Sequence, residues 1–106
     1  MNFYQQARER SSSLCVELIS DAKLDVAFFS CDQLAEIAYL SVQESNLNLI
    51  EVYGDNRSNF LGHPVLPFSK LSATKADAVI VCVYDKQHPA IQFLDKMKLN
   101  MVKWIF

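Results

Sequence analysis

The run Ala78-Val79-Ile80-Val81-Cys82-Val83 constrains this sequence most: six consecutive residues carry no charge, amide or hydroxyl. A short, continuous apolar run of this kind reads as a strand covered on both faces. Val26-Ala27-Phe28-Phe29 is a second one. Two such strands belong in the middle of a parallel sheet, and parallel strands need crossovers. The spacing supplies them. Leu14, Cys15, Leu18, Ile19 and Ala22 recur at helical spacing within a helix expected over Gln5–Ala22. Leu34, Ile37, Ala38 and Val42 do the same directly after the first strand. Leu47–Tyr53 reads as a strand ending at the turn cluster Gly54-Asp55-Asn56, and Asn56–Gly62 as a polar loop. Pro64-Val65-Leu66-Pro67 fits only a short strand, because proline cannot donate to a ladder. Ser69–Thr74 reads as a brief helix capped by Ser69. Pro89 suits the first turn of a helix continuing through Ile91, Phe93, Leu94 and Met97, and Met101–Phe106 reads as the last strand. Strands alternating with helices predict an α/β fold with a parallel sheet.

With 106 residues, the sequence holds one domain, and 51% hydrophobic residues are enough for a core. Ten basic side chains against twelve acidic ones leave a formal charge of −2, so the chain has no blanket positive field for nucleic acid. Lys86, Lys96, Lys98 and Lys103 interleave with Asp85 and Asp95 as a solvated face. No apolar run approaches the ~20 residues of a membrane span, so no membrane partner is expected. The start, Met1-Asn2-Phe3-Tyr4-Gln5-Gln6, is not a signal peptide. Cys15, Cys31 and Cys82 are an odd number without a CxxC pair, which fits a reducing cytoplasm.

The strand, turn and helix at residues 26–38 stand where a dinucleotide-binding fold keeps G-x-G-x-x-G/A. The sequence there is Ser30-Cys31-Asp32-Gln33-Leu34-Ala35, and only Ala35 fits. Asp32 replaces the glycine that lets backbone approach a pyrophosphate, and its carboxylate repels one. Ser30-x-x-Gln33 instead reads as a capping box, with Asp32 in the first turn suiting the helix dipole. Asp55 stands near the position of an acidic residue that binds ribose hydroxyls, and equally in an ordinary turn. Cys31 at a helix N-terminus is a candidate thiolate that Asp32 opposes. Asp32, Asp85 and His88 are residue types that hold metals, yet their spacing does not demand a metal site. No G-x-S-x-G elbow is present. Candidate crevice residues are therefore Ser30, Cys31, Asp32, Gln33, Asp55 and Tyr84, with no catalytic or metal-binding set and no cofactor expected.

Asp25–Ala38, Leu49-Ile50-Glu51-Val52, Phe60–Leu66 and Ala76–Val81 together resemble a Rossmann-type nucleotide- or CoA-binding domain. The fuller run, from Phe3-Tyr4-Gln5-Gln6-Ala7-Arg8 through Leu34-Ala35-Glu36-Ile37-Ala38-Tyr39-Leu40, resembles the C-terminal domain of bacterial winged-helix (MarR-like) transcriptional regulators. The resemblance implies strand order 3-2-1-4-5 with helices on both faces, and Pro64-Val65-Leu66 at an edge. It also implies a crevice at the carboxyl ends of the two central strands, where Cys31, Asp32 and Gln33 meet Tyr84, Asp85 and His88.

The expected organisation is a first helix over 1–22 leading into a Rossmann-like domain over 23–106, cut from a longer protein. The expected function is a non-catalytic regulatory domain for dimerisation or effector sensing. DNA would be bound only by a missing N-terminal domain, and the effector would be an unidentified small molecule. The alternative is a nucleotide- or CoA-binding module with a degenerate phosphate loop. A homodimer is expected through the first helix, whose Phe3, Tyr4, Ala7 and Leu14 line one side.

Overall fold

A computed structural model describes residues 2–55, 57–96 and 102–106, apart from the side chains of Asp95 and Lys96. Its centre is β1 (Asp25–Phe29), paired in parallel with β2 (Asn48–Tyr53) on one side and β5 (Ala78–Val81) on the other. Phe28 faces Val52 across one ladder and Ile80 across the other. Side chains alternate across the pleat. Val26 and Phe28 enter one core with Ala7, Leu14, Cys15 and Leu18 of α1 (Phe3–Ser20) and Leu34, Ile37, Ala38 and Val42 of α2 (Gln33–Glu44). Ala27 and Phe29 enter the other core, with Phe68 and Leu71 of a 3-10 helix (Phe68–Ala73) and Leu94 of α3 (Ile91–Lys96). Helices therefore cover both faces of the sheet, and residues of α1 belong to the same core as the central strand. Among the described residues no helix is long and apolar enough to cross a membrane.

The sheet has six strands in the order β3-β4-β2-β1-β5-β6, with β3 (Asn59–Phe60), β4 (His63–Leu66) and β6 (Val102–Trp104). This differs from the expected 3-2-1-4-5. The segment expected to be a polar loop over Asn56–Gly62 contains β3, which pairs antiparallel with β4 and adds an edge. Leu61 (φ +48°) and Gly62 (φ +89°) make the turn, both with the positive φ that a two-residue hairpin of type I′ requires. The Gly62 N–H donates to Asn59 Oδ1 at 3.1 Å. Phe60 fixes the strand: it is wholly buried, edge-on to Phe28 at 6.0 Å between centroids. Two residues are too few for periodicity to register.

Local chemistry sets the helix ends. Asn2 Oδ1 accepts from the Gln5 N–H at 2.8 Å and starts α1 earlier than expected. At its other end the Lys23 N–H donates to the Leu18 carbonyl, and that of Ala22 to Ile19. This is a Schellman closure, with Ala22 at φ +57°. α2 closes the same way around Asn46 (φ +58°). The helix expected over Ser69–Thr74 is the 3-10 helix, and its N-cap is Pro67, with no side-chain cap bond, rather than Ser69. Three residues per turn put Phe68 and Leu71 on the same side, and both are buried. Asn56, Met97, Lys98 and Met101 lie outside the described residues.

Phe60→Ala removes a wholly buried ring that holds β3 to the first core, so it is expected to destabilise by about 3–5 kcal/mol. Urea denaturation followed by circular dichroism checks it. A loss below about 1 kcal/mol would mean that the hairpin is not part of the core.

Candidate functional site

β1 and β5 run parallel and side by side, and the chain leaves their carboxyl ends in opposite directions. That divergence opens a crevice of roughly 250 Å³ between the start of α2 and the segment following β5. Asp32, Gln33 and Leu34 line it from one side, Cys82, Val83, Tyr84, Asp85 and His88 from the other, and Phe3 of α1 from the end. Of the sequence-derived candidates the structure thus brings together Asp32, Gln33 and Tyr84, with Asp85 and His88.

Ser30, Cys31 and Asp55 are placed differently. Ser30 is buried at φ +81°, the left-handed region that the first glycine of a phosphate loop supplies. The tight turn is therefore present, made by a residue with a Cβ. The expected capping box is absent: Asp32, not Ser30, is the N-cap of α2, and no side chain caps the helix. The Asp32 carbonyl accepts from the N–H groups of Ala35 at 3.1 Å and Glu36 at 3.3 Å. Ser30 Oγ lies 3.5 Å from Asp32 Oδ2, too long to anchor the carboxylate firmly. A left-handed φ at Ser30 turns its side chain to Asp32 instead of the third helical amide.

Cys31 is buried away from the crevice, beneath Gly54. A Cβ added to Gly54 would lie 2.6 Å from Cys31 Sγ and 3.0 Å from Val65 Cγ1. Gly54 is thus required by close approach. Burial pushes the Cys31 thiol above its ordinary pKa. Arg57 pulls it down, while Asp32 and Asp55 push it further up. The helix-terminus thiolate is therefore overruled by desolvation. The Cys82 thiol is pushed up further by burial.

Asp55 lines a separate groove of roughly 500 Å³ with Gly54, Arg57, Val65, Pro67, Phe68, Ser69 and Phe93. Arg57 donates to the Cys31 carbonyl at 3.0 Å, stands 3.6 Å from a Glu36 carboxylate oxygen and lies over the Phe60 ring. It ties the β2–β3 connection to the turn before α2, a role that no spacing in the sequence announced.

The crevice is acidic and aromatic. Asp85 Oδ1 accepts from the Gln87 N–H at 2.9 Å, and His88 Nδ1 from that of Ala90 at 3.1 Å. Both side chains are thereby oriented by their own loop. Among the described residues no three His, Cys, Asp or Glu side chains form a group able to hold a metal ion. Phe3 lies edge-on to Tyr84 at 5.3 Å and stacked on Phe106 at 5.7 Å. The sequence places Phe3 in a stripe expected to meet a second copy. It is half-buried instead, and Ala7 and Leu14 of that stripe are buried in the chain's own core. The apolar residues that α1 exposes are Tyr4, Val16 and Ile19.

Comparison with known protein families, with characterised proteins and with solved structures gives no match for this chain.

Two outcomes follow from the turn. Ser30→Gly relieves the left-handed conformation without losing a helix cap, and is expected to stabilise by about 1 kcal/mol. A loss of about 1 kcal/mol in thermal unfolding would restore the capping role. Gly54→Ala forces a Cβ against Cys31 Sγ and is expected to cost about 1–3 kcal/mol. Adding Cys31→Ala should recover part of that loss in a double-mutant cycle; strict additivity would refute the contact.

Proposed function

We propose that this chain is a non-catalytic, Rossmann-like regulatory domain of a transcriptional regulator, its crevice serving effector sensing and its outer surface dimerisation. One observation supports the reading above the others. Where a dinucleotide-binding domain leaves room for a pyrophosphate, this crevice has the carboxylate of Asp32, with Asp85 opposite and, among the described residues, no Lys or Arg in its lining. A phosphate there meets negative charge and loses the glycine that would let the backbone approach it. The parallel run β4-β2-β1-β5-β6 with helices on both faces supports the Rossmann-like reading of the sheet. The regulator context rests on the resemblance of residues 3–40. In it, DNA is contacted by a segment outside this sequence, in keeping with the formal charge of −2.

A second reading, a nucleotide- or CoA-binding module, is favoured by the larger groove at Gly54, Asp55 and Arg57. There a guanidinium lies within reach of a phosphate, although it is already engaged by Glu36 and the Cys31 carbonyl.

Calorimetric titration with NAD and with CoA separates the two readings. The regulatory reading expects no heat of binding at millimolar ligand. A micromolar constant abolished by Arg57→Ala would replace it with the second reading. The dimerisation part is checked by sedimentation. Because Ala7, Leu14 and Leu18 are buried in the chain's own core, an apolar two-fold contact through α1 draws on Tyr4, Val16 and Ile19, of which the last two lie on the same side of its C-terminal half. Val16→Glu with Ile19→Glu should convert a dimer to a folded monomer, and an unmodified chain that sediments as a monomer at high concentration would remove that part.

A further inference from the structure

Phe3 belongs to two structures at once. It opens the first turn of α1, and it lines the end of the crevice. Its inner side packs against the edge of the first core, and its aromatic partners lie toward the surface: Tyr84, which is 62% exposed, and Phe106, which is half-buried with the Arg10 guanidinium 4.8 Å from the centroid of its ring. Tyr84 and Phe106 are themselves edge-on at 5.0 Å, so the three rings form one cluster.

Little else seats the N-terminal half of α1. From Phe3 to Ser13 its buried residues are Ala7 and Ser11. Ser11 Oγ is buried with no hydrogen-bond partner, a desolvation cost paid without return. The hydrogen bonds of this half across to α2 are between exposed or half-buried groups: Arg8 to Ser41 at 2.8 Å and to Glu44, and Ser12 Oγ to Ser41 Oγ at 3.4 Å. Water substitutes readily for bonds of this kind. From Leu14 onward the helix is different: Leu14, Cys15 and Leu18 are all buried in the core. The two halves of α1 therefore differ in what holds them, and the aromatic cluster is the main apolar anchor of the first. Behind Phe3 the crevice is lined by Cys82, which is only 2% exposed.

We propose that Phe3 is a latch: seated, it closes the crevice and docks residues 3–13 of α1; released, it frees that half-helix and uncovers Cys82, while the sheet stays intact. A solute that needs the volume of the Phe3 ring is then coupled to the position of α1, and the coupling is reciprocal. Its use as an effector switch rests on the regulatory reading above. The coupling itself is a property of this chain and is tested with no ligand, so it can fail or stand independently of that reading.

The experiment is native-state hydrogen exchange on the full chain carrying Phe3→Ala, with thiol labelling by Ellman's reagent and by an alkylating agent mapped to each cysteine. Amides of residues 7–13 should exchange faster by on the order of tenfold, with those of residues 26–29 and 78–81 unchanged. Cys82 labelling should rise by a similar factor, and Cys31, buried under Gly54, should not change. Leu18→Ala is the contrast: a core deletion that raises exchange in all three segments together. If Phe3→Ala behaves like Leu18→Ala, Phe3 is an ordinary core residue and the proposal falls. It falls equally if residues 7–13 and Cys82 do not respond. Should Phe3→Ala fail to fold, Tyr84→Ala removes the same cluster from its exposed side. The same localised pattern, at smaller amplitude, supports the latch, and its absence overturns it.

Discussion

Everything in this structure depends on the double burial of β1. Val26, Ala27, Phe28 and Phe29 each have no exposure, so both faces of the strand must be covered and both edges paired. Phe28 and Phe29 alone contribute about 2–3 kcal/mol each by leaving water, on opposite faces of one sheet. Neither contribution is realised unless helices pack on both sides. A parallel sheet with crossovers meets both demands. The same arrangement opens the crevice, because the crossovers after β1 and β5 depart to opposite faces.

The two faces are finished differently. The 3-10 helix and α3 seal theirs with rings: Phe68 lies 4.6 Å from Phe29 and 5.5 Å from Phe93 between centroids. α1 and α2 cover the other face with a shared apolar core that includes Leu14, Cys15, Leu18, Ile37 and Val42, and their hydrogen bonds to each other run from Arg8 and Ser12 to Ser41 and Glu44. An aromatic seal resists separation by area and by geometry. A seam of hydroxyls and one ion pair resists it weakly, since water offers the same bonds. The asymmetry makes the α1 side the one on which a segment can move at low cost.

Legibility in the sequence followed the length over which a physical pattern repeats. β1 and β5 were readable because four to six apolar residues in a row have few alternatives, and α2 because Leu34, Ile37, Ala38 and Val42 keep to one face over about two turns. β3 was not, since a two-residue strand carries no period, and its only trace was Phe60-Leu61 in an otherwise polar stretch. The crevice partners Asp32, Gln33, Tyr84, Asp85 and His88 were readable from topology, which fixes where two parallel strands end. Ser30 and Cys31 were misplaced for a conformational reason: a positive φ at Ser30 redirects the next side chain under Gly54. Residue type at Ser30 gives no warning of this. Asp55 and Arg57 fell in a different groove because the β2–β3 connection leads toward β4 and not toward β5. Phe3 was legible as apolar, but an apolar helix stripe does not say whether its own sheet or another molecule covers it.

The turn at Ser30 also separates two requirements that a glycine-rich phosphate loop meets together. Such a loop gives the backbone a left-handed step and leaves the space beyond it empty for an anion. Here the step is made at Ser30, against the cost of a Cβ in the left-handed region, and the space beyond is given to the Asp32 side chain. Satisfying the positive end of α2 needs only one negative group nearby, and Asp32 supplies it at no cost in binding entropy. An arriving phosphate would gain little from a dipole already compensated and would meet Asp85 across the crevice. The geometry thus keeps the path of the fold while reversing the sign of charge that the site tolerates. Under the proposed effector-sensing reading, an occupant of the crevice would have to satisfy carboxylates, an imidazole and two aromatic rings rather than present an anion to bare amides.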